Sequence, residues 1–350
     1  FVDTHAGDEA PATYPEPVDH CAVCRWAPRC NAQRRRDDHL SLVAGLGRNH
    51  AAELRSHGVN TLAALAALPA LVNAYLVSFV FALLVAFVIA QSWDWVNGQM
   101  GYLNLGHYAF YGVGGYAFCL LLVRGVHIVP SFAASIVFAC AFAAVLALPI
   151  FRLKGDYFAF ATLTIVPLCE LLASNLSGLT RGAEGITLPP NYVLYPAYYI
   201  ALALAALTLA VTLWLMRSRL GYAMRAIRND EEVAEVSGVR LFPVKIFTLM
   251  LSAAFAGLAG AIQAWQFSYI DPYTMFNLGV ALVPVAAALL GGSGLLLGPL
   301  VGVVLLSSLQ QVLLELVTRS HTPQLQLQAP TLLPSVSPQE AQQLSRPLLQ

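Results

Sequence analysis

Residues 71 to 116 read LVNAYLVSFVFALLVAFVIAQSWDWVNGQMGYLNLGHYAFYGVGGY. Leu71 to Ser92 carries no charge and is long enough, at 1.5 Å per residue, to cross a hydrocarbon core about 30 Å thick. Gly98 to Tyr116 then sets six glycines, Gln99, Asn104 and His107 beside the next apolar run. Such a stretch suits a broken or re-entrant helix, whose unwound backbone must line a protein-enclosed cavity rather than meet lipid. Helix N-termini there offer unpaired N–H groups and a partial positive charge to an anionic group. Gly101, Asn104, Gly106, His107, Gly114 and Gly115 are therefore candidates for a solute pathway. The same glycines also suit close helix packing, and a histidine at a helix start is a cap or packing residue as readily as a ligand; the sequence leaves both open.

The composition agrees with a membrane setting. Of 350 residues 58% are hydrophobic and 11% charged, against roughly 25% charged in a soluble domain. That excludes a disordered chain, a basic nucleic-acid-coating protein and a collagen-like fibre. The 19 basic residues cancel the 19 acidic ones, but unevenly: residues 1–70 hold 15 charges and residues 217–245 another 10, so a seam falls near Pro69. After it come apolar runs at Leu71–Ser92, His107–Val123, Val129–Phe151, Tyr157–Asn175, Tyr192–Met216, Val244–Phe267, Phe276–Leu290 and Leu295–Val317. They are too long and too evenly apolar for period-2 barrel strands. The expected fold is an all-α polytopic membrane protein of about eight transmembrane helices with a broken or re-entrant segment, preceded by a small soluble α N-terminal fragment. The domains expected are 1–70, 71–318 and a disordered tail, 319–350, rich in Gln, Pro, Leu and Ser.

Arg152 and Lys154 follow the third run, and Arg217, Arg219, Arg225, Arg228, Arg240 and Lys245 lie between the fifth and sixth. By the positive-inside rule both loops are cytoplasmic. The parity then starts the first span outside, although residues 1–70 look cytosolic. Either a span is miscounted or an N-terminal helix is missing; the chain begins with Phe and shows no cleavable signal peptide, so it reads as a fragment.

Small residues recur at four-residue spacing, Ala253 with Gly257, Ala256 with Gly260, and Gly294, Gly298, Gly302, a close-packing pattern in bilayers. Glu170 falls inside a span, where an acid either carries a coupling ion or pairs structurally, and the structural role is favoured. Asp94, near a span end, reads as interfacial. Cys119, Cys140 and Cys169 read as small core residues.

Between two spans, residues 217–245 run RSRLGYAMRAIRNDEEVAEVSGVRLFPVK. Asp230, Glu231 and Glu232 after Arg225 and Arg228 are expected in a short amphipathic helix, broken at Gly238 and ended before Pro243. A topology anchor needs only the arginines; mixed charge with Ala and Val on one side is a docking surface. At this point six blocks carry a resemblance: GYLNLGHYAFYGVGGYAF, RLKGDYFAFATL, TRGAEGI, RSRLGYAMRAIRNDEEVAEVSGV, SAAFAGLAGAIQAW and LLGGSGLLLGPLVG. In this order, over about 230 residues, they resemble the membrane permease subunits of branched-chain amino acid ABC transporters, the LivM/LivH family. Glu232-Val233-Ala234 with Gly238 resembles the E-A-A-x3-G motif of ABC permeases, with Val at the second position and no evident I-x-L-P continuation. The resemblance implies that Arg225, Arg228, Glu231, Glu232, Ala234 and Gly238 couple the membrane helices to an ATPase. It also implies a second permease subunit, two cytoplasmic ATPase subunits, a periplasmic substrate-binding protein, and a place in the bacterial cytoplasmic (inner) membrane. Similar permeases usually begin with one more hydrophobic helix, which residues 1–70 replace here.

In the N-terminal segment, Cys21, Cys24 and Cys30 have a spacing suited to thiolate ligation of zinc or an iron–sulfur cluster, though three ligands leave a site incomplete. YPEPVDHCAVCRWAPRC with RRRDDHLSLVAGLG resembles the C-terminal end of RecB-like iron–sulfur nucleases, and the following GLGRNHAAELRSHGVNTLAALAALP is similar to a helix-hairpin-helix. The catalytic carboxylates of such nucleases lie upstream of anything present. Seven arginines against eight acids in residues 1–70 give no net basic field, so no nucleic acid is expected as partner. A vestigial cofactor site in 1–70, joined by fusion to an unrelated membrane domain, is the expectation there, and no cofactor in the permease.

No G-x-x-x-x-G-K-[ST] occurs, so the chain carries no ATP site of that type, and no catalytic constellation is visible. The chain is read as a transport subunit rather than an enzyme. The alternatives are an ion-coupled secondary transporter or channel working through Glu170, and, further off, a membrane-tethered nuclease fragment.

Overall fold

The computed structural model describes residues 65–69, 72–153, 155–188 and 193–332. They are helical almost throughout: α1 Ala74–Asp94, α2 His107–Val123, α3 Ile128–Ile150, α4 Asp156–Leu163, α5 Ile165–Asn175, α6 Ser177–Thr180, α7 Leu194–Arg217, α8 Arg219–Asn229, α9 Glu231–Val236, α10 Leu241–Phe267, α11 Pro272–Met275, α12 Leu278–Gly291 and α13 Gly298–Leu332. Two short strands, β1 Ile186–Thr187 and β2 Tyr269–Ile270, pair antiparallel with Ile186 opposite Ile270. Among the described residues seven stretches are long and apolar enough to cross a membrane: Ala74–Gln99, Ile128–Ile150, Asp156–Asn175, Leu194–Arg217, Leu241–Phe267, Pro272–Gly291 and Gly298–Val317. The eighth expected span, α2, is a shorter apolar helix of about 25 Å.

The first span is longer than its apolar run, because α1 continues through a π-helical turn at Trp95–Gln99. The fourth is divided. Pro167 has no N–H for the carbonyl four residues back, and α4 gives way to α5 at Thr164. Between α7 and α10 the sequence predicts one short helix, broken at Gly238 and ended before Pro243; there are two instead, α8 and α9. Asp230 accepts the Glu232 and Val233 amides and so starts α9, Gly238 at φ +87° closes it, and Pro243 sits in the first turn of α10, where its missing N–H has no intrahelical partner to lose. The last helix runs on past Val317 to Leu332, so the first part of the expected disordered tail is helical; Gln and Leu are good helix formers. Residues 1–64, with the expected cysteine site and helix-hairpin-helix, and residues 333–350 lie outside the described residues.

Contacts between loops sort the helix ends onto two faces. Tyr102, Phe151, Phe158 and Glu231 meet, as do Gly98, Arg228 and Gly294; the arginine-rich loops mark this face as cytoplasmic. The β1–β2 pair and the stacking of Tyr116 on Phe276, 5.8 Å apart, mark the other. On this assignment the first span starts on the outer face.

The helix at the centre is α10, which packs against α1, α2, α3 and α7. Its small residues let it. A Cβ at Gly260 would lie 2.0 Å from the Tyr111 carbonyl oxygen, and one at Gly114 would lie 2.3 Å from the Gly257 Cα. Gly302 meets the Ala287 carbonyl of α12 in the same way. Both small-residue patterns of the sequence therefore work as close-approach faces. Accordingly Gly260→Ala should destabilise the purified protein by about 1–3 kcal/mol through overpacking. Gly178→Ala, with open space around it, should stay within about 0.5 kcal/mol. Thermal unfolding in detergent, read by tryptophan fluorescence, compares the two.

Candidate functional site

In the unwound segment between α1 and α2, Asn104 and Gly106 are buried, whereas Gly101 and Leu103 are exposed. Trp93 Nε1 donates to the Asn104 carbonyl at 2.6 Å, the Leu105 amide donates to Thr162 Oγ1 at 3.1 Å, and the Gly106 amide donates to Asn104 Oδ1 at 3.0 Å. Gly101 takes φ +83° where the chain leaves α1. His107 then opens α2, buried, with Nε2 3.0 Å from Ser92 Oγ and Nδ1 3.4 Å from Ser252 Oγ. Ser92 Oγ donates to the Ile89 carbonyl and Ser252 Oγ to the Ser92 carbonyl, so both hydroxyl hydrogens are committed. His107 is thereby left to donate from Nε2 to Ser92 Oγ. His107 ties α1, α2 and α10 together. Gly114 and Gly115 face Gly257 and Gly260 of α10, so of the candidate pathway residues these two occupy a helix–helix contact.

The basic loop is fastened to the membrane helices at two points. At the first, Arg228 of α8 donates from Nη1 to the Gly98 carbonyl. Asp94 Oδ1 accepts the Gly294 amide at 2.8 Å, and Gln99 Nε2 donates to the Gly294 carbonyl at 3.2 Å. A Cβ at Gly98 would lie 2.1 Å from Asp94 Oδ1 and 2.3 Å from the Gly294 nitrogen, so only glycine lets the α12–α13 loop approach. Asp94, read from the sequence as interfacial, is fully buried.

At the second point Glu231, at the start of α9, pairs with Lys245 of α10 and accepts from the Tyr102 hydroxyl at 2.7 Å. The Lys245 ammonium lies 4.8 Å from the Tyr102 ring centre and 6.0 Å from that of Phe151, and Phe158 packs edge-on to Tyr102. Burial, and then the hydrogen bond to the Glu231 carboxylate and its charge, raise the Tyr102 hydroxyl above the ordinary phenol range. Lys245 and Tyr102 were missed as site residues. The available signal was the lysine itself, because a charge one turn inside a span needs a partner.

Once α9 is fastened, its outer side is open. Ala234 is buried, while Glu232, Val233, Glu235, Val236 and Gly238 are exposed, Val236 at 86%. Arg225 turns back to the Met216 carbonyl and lies over the Tyr222 ring. Glu170 sits half-buried on α5, with Ser174 donating to its backbone carbonyl. Among the described residues no group of three or more His, Cys, Asp or Glu could hold a metal ion. A groove of about 360 Å³ between α1, α2, α12 and α13 is lined by Tyr108, Tyr111, Gln263, Ser307, Gln310 and Gln311 among apolar neighbours.

The Glu231–Lys245 pair yields a test. Removing one partner of a largely buried pair leaves a charge without compensation, whereas removing both does not. Lys245→Met and Glu231→Gln should each lower unfolding stability by up to about 3 kcal/mol, and the double variant should recover most of the loss in the same detergent melt.

Residues 75–333 match the family described as branched-chain amino acid transport system / permease component. The high-affinity branched-chain amino acid transport system permease protein LivM of Escherichia coli K12 is 30% identical over 231 residues, covering 57% of this chain and 54% of that protein. BraD of Pseudomonas aeruginosa PAO1, also a high-affinity branched-chain amino acid transport system permease protein, is 28% identical over 236 residues, 60% of this chain and 76% of its own length. The autoinducer 2 import system permease protein LsrC of Yersinia pseudotuberculosis is 27% identical over 147 residues, 40% of each chain. The chain thus spans about half the length of the LivM relatives it matches, and no solved structure matches it. With the family match covering most of its length and its apolar helices crossing the bilayer repeatedly, the chain is a multi-pass inner-membrane protein that belongs to the permease components of branched-chain amino acid transport systems.

Proposed function

We propose that the chain is one of the membrane subunits of an ABC importer for branched-chain or other small amino acids, driven by partner ATPases. The observation that carries this is the α8–α9 unit. It is tied to α1 and the α12–α13 loop through Arg228, and to α10 and the unwound segment through Glu231, while Glu232, Val233, Glu235 and Val236 remain exposed. A rigid lever with an uncovered outer face transmits a push. Movement imposed on α9 by a closing ATPase reaches the unwound segment through Glu231 and Tyr102, and the ends of α1, α12 and α13 through Arg228. A periplasmic binding protein delivers the solute, and a second permease subunit completes the translocation unit, which alternates between outward-open and inward-open arrangements.

The amide- and hydroxyl-lined groove between α1, α2, α12 and α13 is the part of the pathway this chain supplies. Its uncharged donors and acceptors among apolar walls suit a small solute with an aliphatic side chain. The names of the LivM and BraD relatives favour branched-chain amino acids; that of LsrC shows a different solute carried by a relative, so the selectivity rests with the binding protein. The chain contributes no covalent chemistry.

Co-purification with the candidate ATPase, and ATP-driven uptake in proteoliposomes, test the docking face. Glu232→Arg and Val236→Asp should each weaken association by at least about tenfold, a loss of 1.4 kcal/mol, without changing the detergent melt. Unchanged association and uptake in both variants would remove the assignment.

A further inference from the structure

Between α2, α3 and α5 the helices leave an apolar cavity of about 530 Å³. One wall climbs a single face of α2 from Val113 through Ala117, Leu120 and Leu121 to Arg124, at the spacing of one helix face. From Val113 to Arg124 that face rises about 16 Å, the depth of one leaflet of a core about 30 Å thick. Across from it stand Cys169, Leu172 and Leu176. Leu172 is 51% exposed and Phe138, on the third side, is 55% exposed, so the cavity opens sideways, toward lipid.

Among otherwise apolar lining residues stand Arg124, Tyr116 and Thr180, and the Thr180 hydroxyl is taken up by the Ala173 and Leu176 carbonyls. The exposed Arg124 stands at the mouth, on the outer face, and has no ion pair among the described residues. The Tyr116 ring forms part of the wall, and its hydroxyl is buried without a hydrogen-bond partner. An apolar slot one leaflet deep, open to the acyl region and capped by a guanidinium, matches one molecular shape. The ligand has a hydrocarbon chain and an anionic head at the interface. A guanidinium engages a phosphate through paired hydrogen bonds, and basic pockets between membrane helices hold lipid headgroups.

We propose that this cavity binds one acyl chain of an anionic phospholipid from the outer leaflet, with its phosphate on Arg124. The lipid fills the space between α2 and the Cys169–Leu176 side of α5. Because α2 begins at His107, the lipid braces the helix that carries the unwound segment from its far end.

Native mass spectrometry of the full chain, released from membranes into mild detergent, tests the proposal with phosphatidylglycerol and phosphatidylethanolamine as added probes. Wild type should retain one phospholipid after annular lipid is stripped, with phosphatidylglycerol preferred. Arg124→Gln, at an exposed position, should keep its melting temperature and lose about fivefold of the phosphatidylglycerol retention, the worth of one cation at an anionic surface. Ala117→Trp, which fills the slot, should retain neither lipid. A wild type that strips clean, equal retention in Arg124→Gln, or lipid replaced at this site by a second protein subunit would overturn it.

Discussion

Backbone that leaves the helix inside a bilayer needs hydrogen-bond partners from the chain itself, and the helices here are arranged around that demand. The unwound segment 101–106 is the clearest case. Asn104 and Gly106 are buried, and the segment's partners come from several elements: Asn97 and Val96 at the end of the first span, Trp93 of α1, Thr162 of α4, and Asn104 within the segment. The segment can exist only because α1, α4 and α10 are already in place around it. Close packing of α10 through Gly257 and Gly260 therefore has a polar consequence as well as a steric one, since it brings Ser252 to His107.

The same demand organises the cytoplasmic side. At the inner ends of the bundle Arg228 meets a backbone carbonyl, one oxygen of Asp94 meets a backbone amide, and Glu231 and Lys245 meet each other. The outcome is a loop that cannot move alone. Glu231 joins α9 to α10 and to Tyr102, and Arg228 joins α8 to α1 near the loop before α13. The exposed valines of α9 are thus the outer end of a connected set of helices rather than an isolated patch.

Much of this was legible in the amino-acid order. The apolar runs matched most spans to within a few residues, the first excepted, and the small-residue spacing matched the contact faces. What escaped were pairings between distant positions. Asp94 looked interfacial because it lies near a span end, while its acceptor role depends on Gly294, two hundred residues on. Lys245 looked like one more positive-inside charge, and only the fold brings Glu231 and the Tyr102 ring to it. Pro243 and Pro167 show the limit of local signals: one sits in the first turn of a span and the other lies just past the point where a span is divided, and the difference lies in what precedes them. Gly114 and Gly115 carried two readings in the sequence because a glycine's small size serves a pathway and a helix crossing equally.

The bond between Gln311, near the end of the last span, and the Tyr75 hydroxyl, at the start of the first, has a topological meaning. The start of the first span and the far part of the last lie on one side of the bilayer and hold each other there, so the two spans most distant in the sequence are neighbours in the bundle.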